Sequence, residues 1–207
     1  MERVARRGRP PQFDRTNALE QATELFWERG YEATSIADIT AKVGIGAPSL
    51  YAAFGDKREL FGRVVEFYLR EYHGWMGAAL REEPTLRAGI DRLLREAVVA
   101  YTRTGHPPGC LVISSAINCA SVEIREMLRA VRNTSVSQLE SVIAAAVEAG
   151  ELRADANPRA LALFTASVMQ GMAQLARDGA ARQELHEVAE LAAAAWPWVR
   201  ASPDTAD

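Results

Sequence analysis

Residues 34–57, TSIADITAKVGIGAPSLYAAFGDK, decide the fold. Ser35 and Asp38 have the spacing of a capping box, and apolar residues then recur at helical spacing. Gly44 can take the left-handed conformation that ends a helix, and Pro48 suits the first turn of a new one. Two short helices with so tight a turn are typical of a helix-turn-helix, whose second helix fits a DNA major groove. An ordinary helical corner in a globular protein has the same spacing.

Residue identity separates these two interpretations. The runs GYEATSIADI, residues 30–39, and GIGAPSLYAAFGDKRELF, residues 44–61, closely resemble the DNA-binding domain of TetR-family transcriptional regulators. The remainder of the chain resembles that family only in its helical layout. The resemblance implies a DNA-binding transcriptional regulator, most often a dimeric repressor that a small-molecule effector releases from a palindromic operator.

Helical periodicity continues along the whole chain, and no strand-like alternation persists. Asp14 can cap a first helix that stops at Gly30, and Asp56 opens a long helix that runs towards Arg81. We therefore predict an all-α fold of about nine helices, with an N-terminal three-helix helix-turn-helix DNA-binding domain and a C-terminal helical ligand-binding and dimerisation domain. The expected boundaries are a basic arm over 1–13, the helix-turn-helix domain over 14–57 and the effector-binding and dimerisation domain over 58–207. Further helices are expected over 86–102, 110–120, 122–149, 158–177 and 182–196.

The net charge of −3, from 24 basic and 27 acidic side chains, looks unsuited to a DNA-binding protein. The distribution matters more than the sum, because the first twelve residues are strongly basic. No apolar run approaches the roughly 18 residues that span a bilayer, and the arginine-rich start leads into no secretory signal. These features predict a cytoplasmic protein.

The resemblance implies which side chains contact DNA. Ser35, Ser49, Tyr51 and Lys57 match positions that hold phosphates in the family, and hydroxyl, phenol and ammonium groups beside helix N-termini suit an anionic oxygen. Tyr51 has the alternative role of a core aromatic. The positions that face bases are Ala47, Pro48, Ala52 and Ala53.

Short side chains at the base-facing positions depart from family members that carry longer polar ones there. Alanine can touch a thymine methyl group, but it cannot form bidentate hydrogen bonds with a base. The basic segment that contains Arg7 and Arg9 is of the kind that lies in an A·T-rich minor groove. We therefore predict sequence reading through methyl contacts, this arm and DNA shape. A solubilising tail is the alternative role of residues 1–13.

The last two long helices carry many small residues, which let helix axes approach closely. In the family the corresponding pair forms a four-helix bundle across a two-fold axis, and a two-fold dimer suits a palindromic site. A homodimer through these helices is therefore predicted; the alternative is that their small residues belong to the core of one chain. The residues concerned are Ala160, Ala162, Ala166, Gly171 and Ala173, followed by Ala189, Ala192, Ala193 and Ala195.

An effector pocket is expected in the C-terminal domain around the apolar segment 110–120. A few polar groups in an apolar cavity are typical of small-molecule sites. Under the alternative interpretation most of these side chains belong to the core. The predicted lining comprises Trp75, Met76, Tyr101, Cys110, Ile113, Asn118, Phe164 and Met172.

Two cysteines, Cys110 and Cys119, are the only thiols of the chain. On one helix they would lie about 13 Å apart, too far for a disulfide. Cys110 follows Gly109 near a helix N-terminus and resembles the Gly-Cys-Leu opening of some TetR-like proteins, which implies an alternative function as a redox or electrophile sensor. A buried inert thiol is the competing interpretation.

Enzyme motifs do not emerge from the sequence. The three histidines, His73, His106 and His186, are scattered, and there is no HExxH, GxSxG, P-loop or CxxC pattern. We therefore predict no catalytic residue, no cofactor and no metal site. A helical small-molecule carrier or enzyme with a misleading N-terminal resemblance is the competing class, and salt-dependent binding to a palindromic DNA site would distinguish the two.

Overall fold

The computed structural model describes residues 14–199. Within that range the chain is all-α, as predicted, with Leu152 and Trp198 forming one isolated antiparallel bridge. The described helices are α1 Arg15–Ala33, α2 Ile36–Val43, α3 Ala47–Phe54, α4 Lys57–Tyr72, α5 Trp75–Glu82, α6 Leu86–Tyr101, α7 Leu111–Ser114, α8 Val122–Glu148, α9 Pro158–Arg177 and α10 Arg182–Ala194.

Four helix ends of the N-terminal region lie where the capping residues predict them, whereas α1, predicted to stop at Gly30, continues to Ala33 across a kink at Gly30, whose φ is 80°. Asp14 accepts hydrogen bonds from two backbone N–H groups of α1, and Ser35 with Asp38 forms both halves of a capping box at α2. Gly44 ends α2 with φ 75°, and Asp56 opens α4 with a second capping box. Each cap satisfies backbone donors that helix geometry leaves without partners, so the local sequence alone determines these boundaries.

The N-terminal head, residues 14–57, is held to the rest of the chain by a shared core. Phe26 of α1 and Phe61 of α4 are fully buried and meet edge to face, with ring centroids 5.0 Å apart. Leu50 and Phe54 of α3 also face this core, at 1% and 3% exposure. Burying each such side chain stabilises the fold by about 1.5–3 kcal/mol. The position of α3 is therefore fixed by its apolar face.

The predicted single helix from Lys57 towards Arg81 is broken into α4 and α5. His73 has φ −120° and Gly74 precedes the first residue of α5. The Trp75 indole donates to the Tyr72 carbonyl at 2.9 Å, which occupies the acceptor that a continuous helix would offer to Met76. This side-chain contact ends α4 and turns the chain.

The predicted helix over 110–120 is reduced to one helical turn, α7. The hydroxyls of Ser114 and Ser115 lie 3.5 and 3.4 Å from the carbonyl oxygens of Trp27 and Phe26, and Asn118 then takes φ 55°. The Ser114 hydroxyl also lies 3.4 Å from the Leu111 carbonyl oxygen, a local contact that competes with helix, and a left-handed residue ends a helix. Because of this turn Cys110 and Cys119 do not share a helix; both are buried and free.

The C-terminal body is a bundle in which α6, α8, α9 and α10 pack around a second part of the core.

The α10 helix ends at Ala194, two residues earlier than predicted, and the indole rings of Trp196 and Trp198 then stack with their centroids 5.1 Å apart. Among the described helices, none combines the length and the hydropathy needed to cross a membrane. Helices α4 and α7 are among the elements that join head and body.

Candidate nucleic-acid interface and effector cavity

One face of α3 is directed away from the core and towards solvent. Pro48, Ser49, Tyr51 and Ala52 are exposed on it, and Tyr51 retains 47% of its surface. Tyr51 is therefore not a core aromatic in this fold. The two remaining base-facing candidates, Ala47 and Ala53, are half-buried.

The candidate recognition helix α3 is anchored by a contact to the first helix. The Arg15 guanidinium donates to the Ala53 carbonyl and lies 5.4 Å from the ring centroid of Phe54. At its other end α3 has no side-chain cap from the described residues, although Pro48 stands in its first turn. The N-terminal turn of α3 is thus available to an anionic group.

Ser35 and Lys57, the other phosphate-binding candidates, lie at the starts of α2 and α4. Ser35 is exposed, and its side chain is engaged in the capping box with Asp38. The Lys57 ammonium lies 4.3 Å from the ring centroid of Tyr31, and burial lowers its pKa while Glu32 opposes that effect. The aromatic ring of Tyr31 thus positions the ammonium of Lys57, one of the predicted phosphate-binding residues. Arg7 and Arg9 of the predicted arm lie outside the described residues.

Three body elements bind the C-terminal part of α1. Besides the Ser114 and Ser115 hydroxyls, the Arg177 guanidinium of α9 donates to the carbonyl oxygens of Trp27 and Glu28 at 3.2 and 3.1 Å. The Glu32 carboxylate accepts from the backbone N–H groups of Ala120 and Ser121. The head is therefore attached to the body through polar contacts as well as through the shared core.

A cavity of about 670 Å³ opens within the body, between the end of α4 and helices α5 to α9. Its volume falls within the range of about 300–1,000 Å³ that ligand sites occupy. Most of its wall is apolar. The lining includes Leu69, His73, Met76, Leu80, Arg81, Leu93, Tyr101, Cys110, Val112, Ile113, Val131, Arg132, Thr134, Ser135, Val136, Gln138, Leu139, Ala166, Met169 and Gln170.

Polar groups gather on the part of the wall around α7. The Sγ of Cys110 lies 3.5 Å from Nε2 of His73, and the Arg132 guanidinium donates to the Val112 carbonyl at 3.3 Å. Burial has the largest single effect and raises the pKa of the Cys110 thiol, but the hydrogen bonds with His73, Tyr68 and the Ile113 backbone, together with the electrostatic effect of His73, hold that pKa below the ordinary value. The described residues contain no cluster of three His, Cys, Asp or Glu side chains that could hold a metal ion.

Half of the predicted pocket residues line this cavity. Met76, Tyr101, Cys110 and Ile113 are on its wall. The other four lie elsewhere: Trp75 is half-buried against Tyr72, Asn118 is exposed, Phe164 is 38% exposed on the outside of α9, and Met172 is fully buried in the core.

The sequence prediction also missed His73 and Arg132, two polar residues of the cavity wall. His73 stands in the unpredicted break after α4. Arg132 lies on α8 one residue after Val131 and three before Ser135, which also line the cavity. Its position within this apolar helical stripe was the signal available in the sequence.

Apolar side chains are exposed along one face of α9 and on α10. Leu163, Phe164 and Leu175 follow helical spacing on α9, with exposures of 45%, 38% and 43%, and Leu191 of α10 is 73% exposed. Gly171 is exposed on the same face, whereas Ala162 and Ala173 are buried within the chain. Several large apolar side chains exposed on two neighbouring helices are typical of a protein-protein interface.

Comparison with known proteins identifies both halves of the chain. The family described as "Bacterial regulatory proteins, tetR family" matches residues 18–64, which include α2 and α3. A second family, "Tetracyclin repressor-like, C-terminal domain", matches residues 88–192, which include most of the body.

Individual relatives match over nearly the whole chain. The HTH-type transcriptional repressors ComR and BdcR of Escherichia coli (strain K12) are 32% identical over 194 residues and 29% identical over 185 residues. These matches cover 92% of this chain and 92% of ComR, and 89% of this chain and 90% of BdcR. A cysteine mutant of the regulator CifR, solved with 26-bp double-strand operator DNA, is 38% identical with a TM-score of 0.86. That match covers 92% of this chain and 100% of the CifR chain.

Proposed function

The chain belongs to the TetR family of bacterial transcriptional regulators, and on this premise we propose that it is a homodimeric repressor that a small-molecule effector releases from a palindromic operator. The observation that carries the proposal is the double role of α7. Val112 and Ile113 face the cavity, while Ser114 and Ser115 of the same short segment contact the backbone of α1 in the head. A ligand against α7 therefore has a direct route to the DNA-binding region.

The switching mechanism is a shift between two arrangements of the paired heads. In the DNA-bound arrangement the two α3 helices lie about 34 Å apart, one helical turn of DNA. An effector that binds better to another spacing lowers DNA affinity by the ratio of its affinities for the two arrangements. The exposed apolar face of α9 and α10 supplies the surface through which the two copies pair.

Operator reading follows from the short side chains on α3. Pro48 and Ala52 are exposed and contact thymine methyl groups, while Ser35, Ser49, Tyr51 and Lys57 hold phosphates. The segment over 1–13, with Arg7 and Arg9, adds minor-groove contacts. As a DNA-binding regulator, the chain is proposed to have no catalytic activity and to act in the cytoplasm.

Binding to the DNA upstream of the chain's own gene tests the proposal. We expect the full-length protein to shift a palindromic fragment with an affinity that falls steeply with salt, and a footprint with two-fold symmetry. Tyr51→Ala should weaken the shift, whereas Leu191→Ala, on the proposed dimer face, should lower the fraction of dimer. Monomeric protein without salt-sensitive preference for any duplex would contradict the proposal.

Thiol-based control through Cys110 is a second candidate, favoured by the 3.5 Å contact with His73 on the cavity wall. A neighbouring imidazole favours the thiolate, the nucleophilic form that reacts with oxidants and electrophiles. In this case hydrogen peroxide should release the protein from DNA, and Cys110→Ser should abolish that response. An undiminished response in Cys110→Ser would exclude this candidate and leave the ligand-controlled repressor.

A further inference from the structure

We propose that the cavity binds a monoanionic amphipathic molecule, with Arg132 as the counter-ion of its carboxylate. This inference rests on the proposed function, since it assigns the chemical class of the effector. The first observation is the sign of the charge around the cavity. In the described part of the chain none of the lining residues is Asp or Glu, although the whole chain has 27 acidic and 24 basic side chains. The charged residues of the wall are Arg81 and Arg132, with His73 beside them.

Arg132 is the better placed of the two arginines. It is half-buried on α8, whereas Arg81 is exposed at the end of α5. Among the described residues Arg132 forms no ion pair, and the hydrogen bond from its Nη1 to the Val112 carbonyl uses one of the five guanidinium N–H donors. Arg92, by contrast, pairs with Glu82, Glu83 and Glu96. Burial lowers the pKa of Arg132, as expected for a guanidinium that is partly removed from water and has no carboxylate beside it.

A carboxylate satisfies the remaining donors better than other groups do. The planar guanidinium presents paired N–H groups that match the two oxygens of a carboxylate. A cationic ligand would meet only positive charge at this wall. A phosphate dianion would need a second buried cation, and the exposed position of Arg81 does not supply one. One negative charge is therefore the complement of this site.

The rest of the cavity wall indicates the chemistry of the uncharged part of the ligand. Leucine, methionine and valine side chains from α4, α5, α6, α8 and α9 form an apolar surface. Thr134, Ser135, Gln138 and Gln170 add neutral hydrogen-bonding groups on α8 and α9. An acyl chain or an aromatic acid would bury its hydrocarbon against the apolar part while its carboxylate meets Arg132. The same arrangement places the ligand against α7, which contacts the head.

Three probes of equal chain length test the class: octanoate, octanamide and octylammonium. Each is titrated by calorimetry into the full-length protein without DNA. We expect octanoate to bind about tenfold more tightly than octanamide, as a charge-assisted hydrogen-bonded pair provides, and octylammonium to bind most weakly. Arg132→Gln should reduce octanoate affinity to that of octanamide, and Arg132→Lys should retain a preference for octanoate. Arg129→Gln, three residues earlier on the exposed side of α8, should leave all three affinities unchanged.

Binding of octanamide as tight as that of octanoate, or binding of none of the probes, would overturn the inference. A mass shift of Cys110 on treatment with a neutral epoxide, without any octanoate binding, would overturn it in favour of a reactive ligand. The titration contains no DNA, so a protein that binds octanoate but no operator would refute the repressor proposal and leave the ligand class standing. Circular dichroism of the Arg132 variants distinguishes lost binding from lost folding.

Discussion

Glu32 and Ser121 join the DNA-binding head to the longest helix of the body. The Glu32 carboxylate accepts a 3.1 Å hydrogen bond from the backbone N–H of Ser121 and a 2.8 Å bond from that of Ala120. Ser121 is the N-cap of α8, so the carboxylate lies beside the positive end of that helix. These hydrogen bonds hold the pKa of Glu32 below its ordinary value. The contact stabilises the ionised carboxylate and, through it, the position of the head.

Replacing Glu32 by Gln should remove a pH-dependent part of the stability. Because the folded-state pKa is lowered, the contribution is fully present above the unfolded value of 4.5 and is lost as pH falls through the folded value. The difference in unfolding free energy between wild type and Glu32→Gln should therefore be larger at pH 7 than at pH 3. Urea denaturation at both pH values measures it. Glu28→Gln, whose carboxylate is exposed beside Arg29, is the control and should show a smaller difference.

Replacing Lys57 by Gln should weaken DNA binding uniformly across sequences and reduce its salt dependence. Each phosphate neutralised contributes about 0.9 to the slope of log K against log salt, so a dimer that loses two contacts should lose about 2 from that slope. Lys42→Gln is the matched control, because Lys42 already pairs with Glu24 at 2.9 Å. Fluorescence anisotropy titrations between about 50 and 200 mM salt, the range over which DNA affinity falls steeply, measure the slopes. Equal slopes for the two variants would exclude Lys57 as a phosphate ligand.

Most helix boundaries of the head could be predicted because their signals are local, although α1 continues beyond its predicted end at Gly30. Ser35 with Asp38, Gly44 and Asp56 each act within a few residues of their own position, and the structure places both ends of α2 and the start of α4 at those residues. A cap or a left-handed glycine requires no distant partner. Such elements follow from the sequence alone.

The cavity was less predictable because its geometry depends on partners far apart in sequence. The break between α4 and α5 depends on the Trp75 indole, and the loss of helix after Ser114 depends on carbonyl groups of α1. Periodicity identifies an apolar face, but it does not distinguish the chain's own core from a cavity or a partner surface. Met172 and Phe164 illustrate this, since one is in the core and the other is on the outside of α9.

Substitution of Gly109 by Ala should destabilise the fold far more than the same change at Gly105. Both glycines have positive φ, 81° and 85°, which costs an L-residue about 1–2 kcal/mol. A Cβ at Gly109 would also lie 2.6 Å from the Ala173 carbonyl oxygen, whereas nothing lies within 4 Å at Gly105. We expect a loss of about 1 kcal/mol for Gly105→Ala and about 3 kcal/mol for Gly109→Ala. Urea denaturation of both variants measures the difference, and equal losses would contradict the close approach of α9.

The two thiols should differ in reactivity although both are nearly buried, at 2% and 4% exposure. The hydrogen bond from His73 helps to lower the pKa of Cys110 below the ordinary value of 9.0. Burial and the carboxylate of Glu32 raise the pKa of Cys119 above it. At pH 7 a larger fraction of Cys110 is therefore thiolate, the form that reacts with alkylating agents. Iodoacetamide should modify Cys110 in Cys119→Ser faster than it modifies Cys119 in Cys110→Ser.

The pH profile of these rates separates ionisation from access. The midpoint for Cys110 should lie below that for Cys119, and His73→Gln should move the Cys110 midpoint upward and slow its alkylation at pH 7, by about tenfold for each unit of pKa. The Cys119 profile should not respond to His73→Gln, since the contact of His73 is with Cys110. In urea the two thiols should react alike, because unfolding removes both environments. A Cys110 midpoint that His73→Gln leaves unchanged would show that the imidazole does not activate this thiol, and oxidant sensing at the cavity would lose its physical basis.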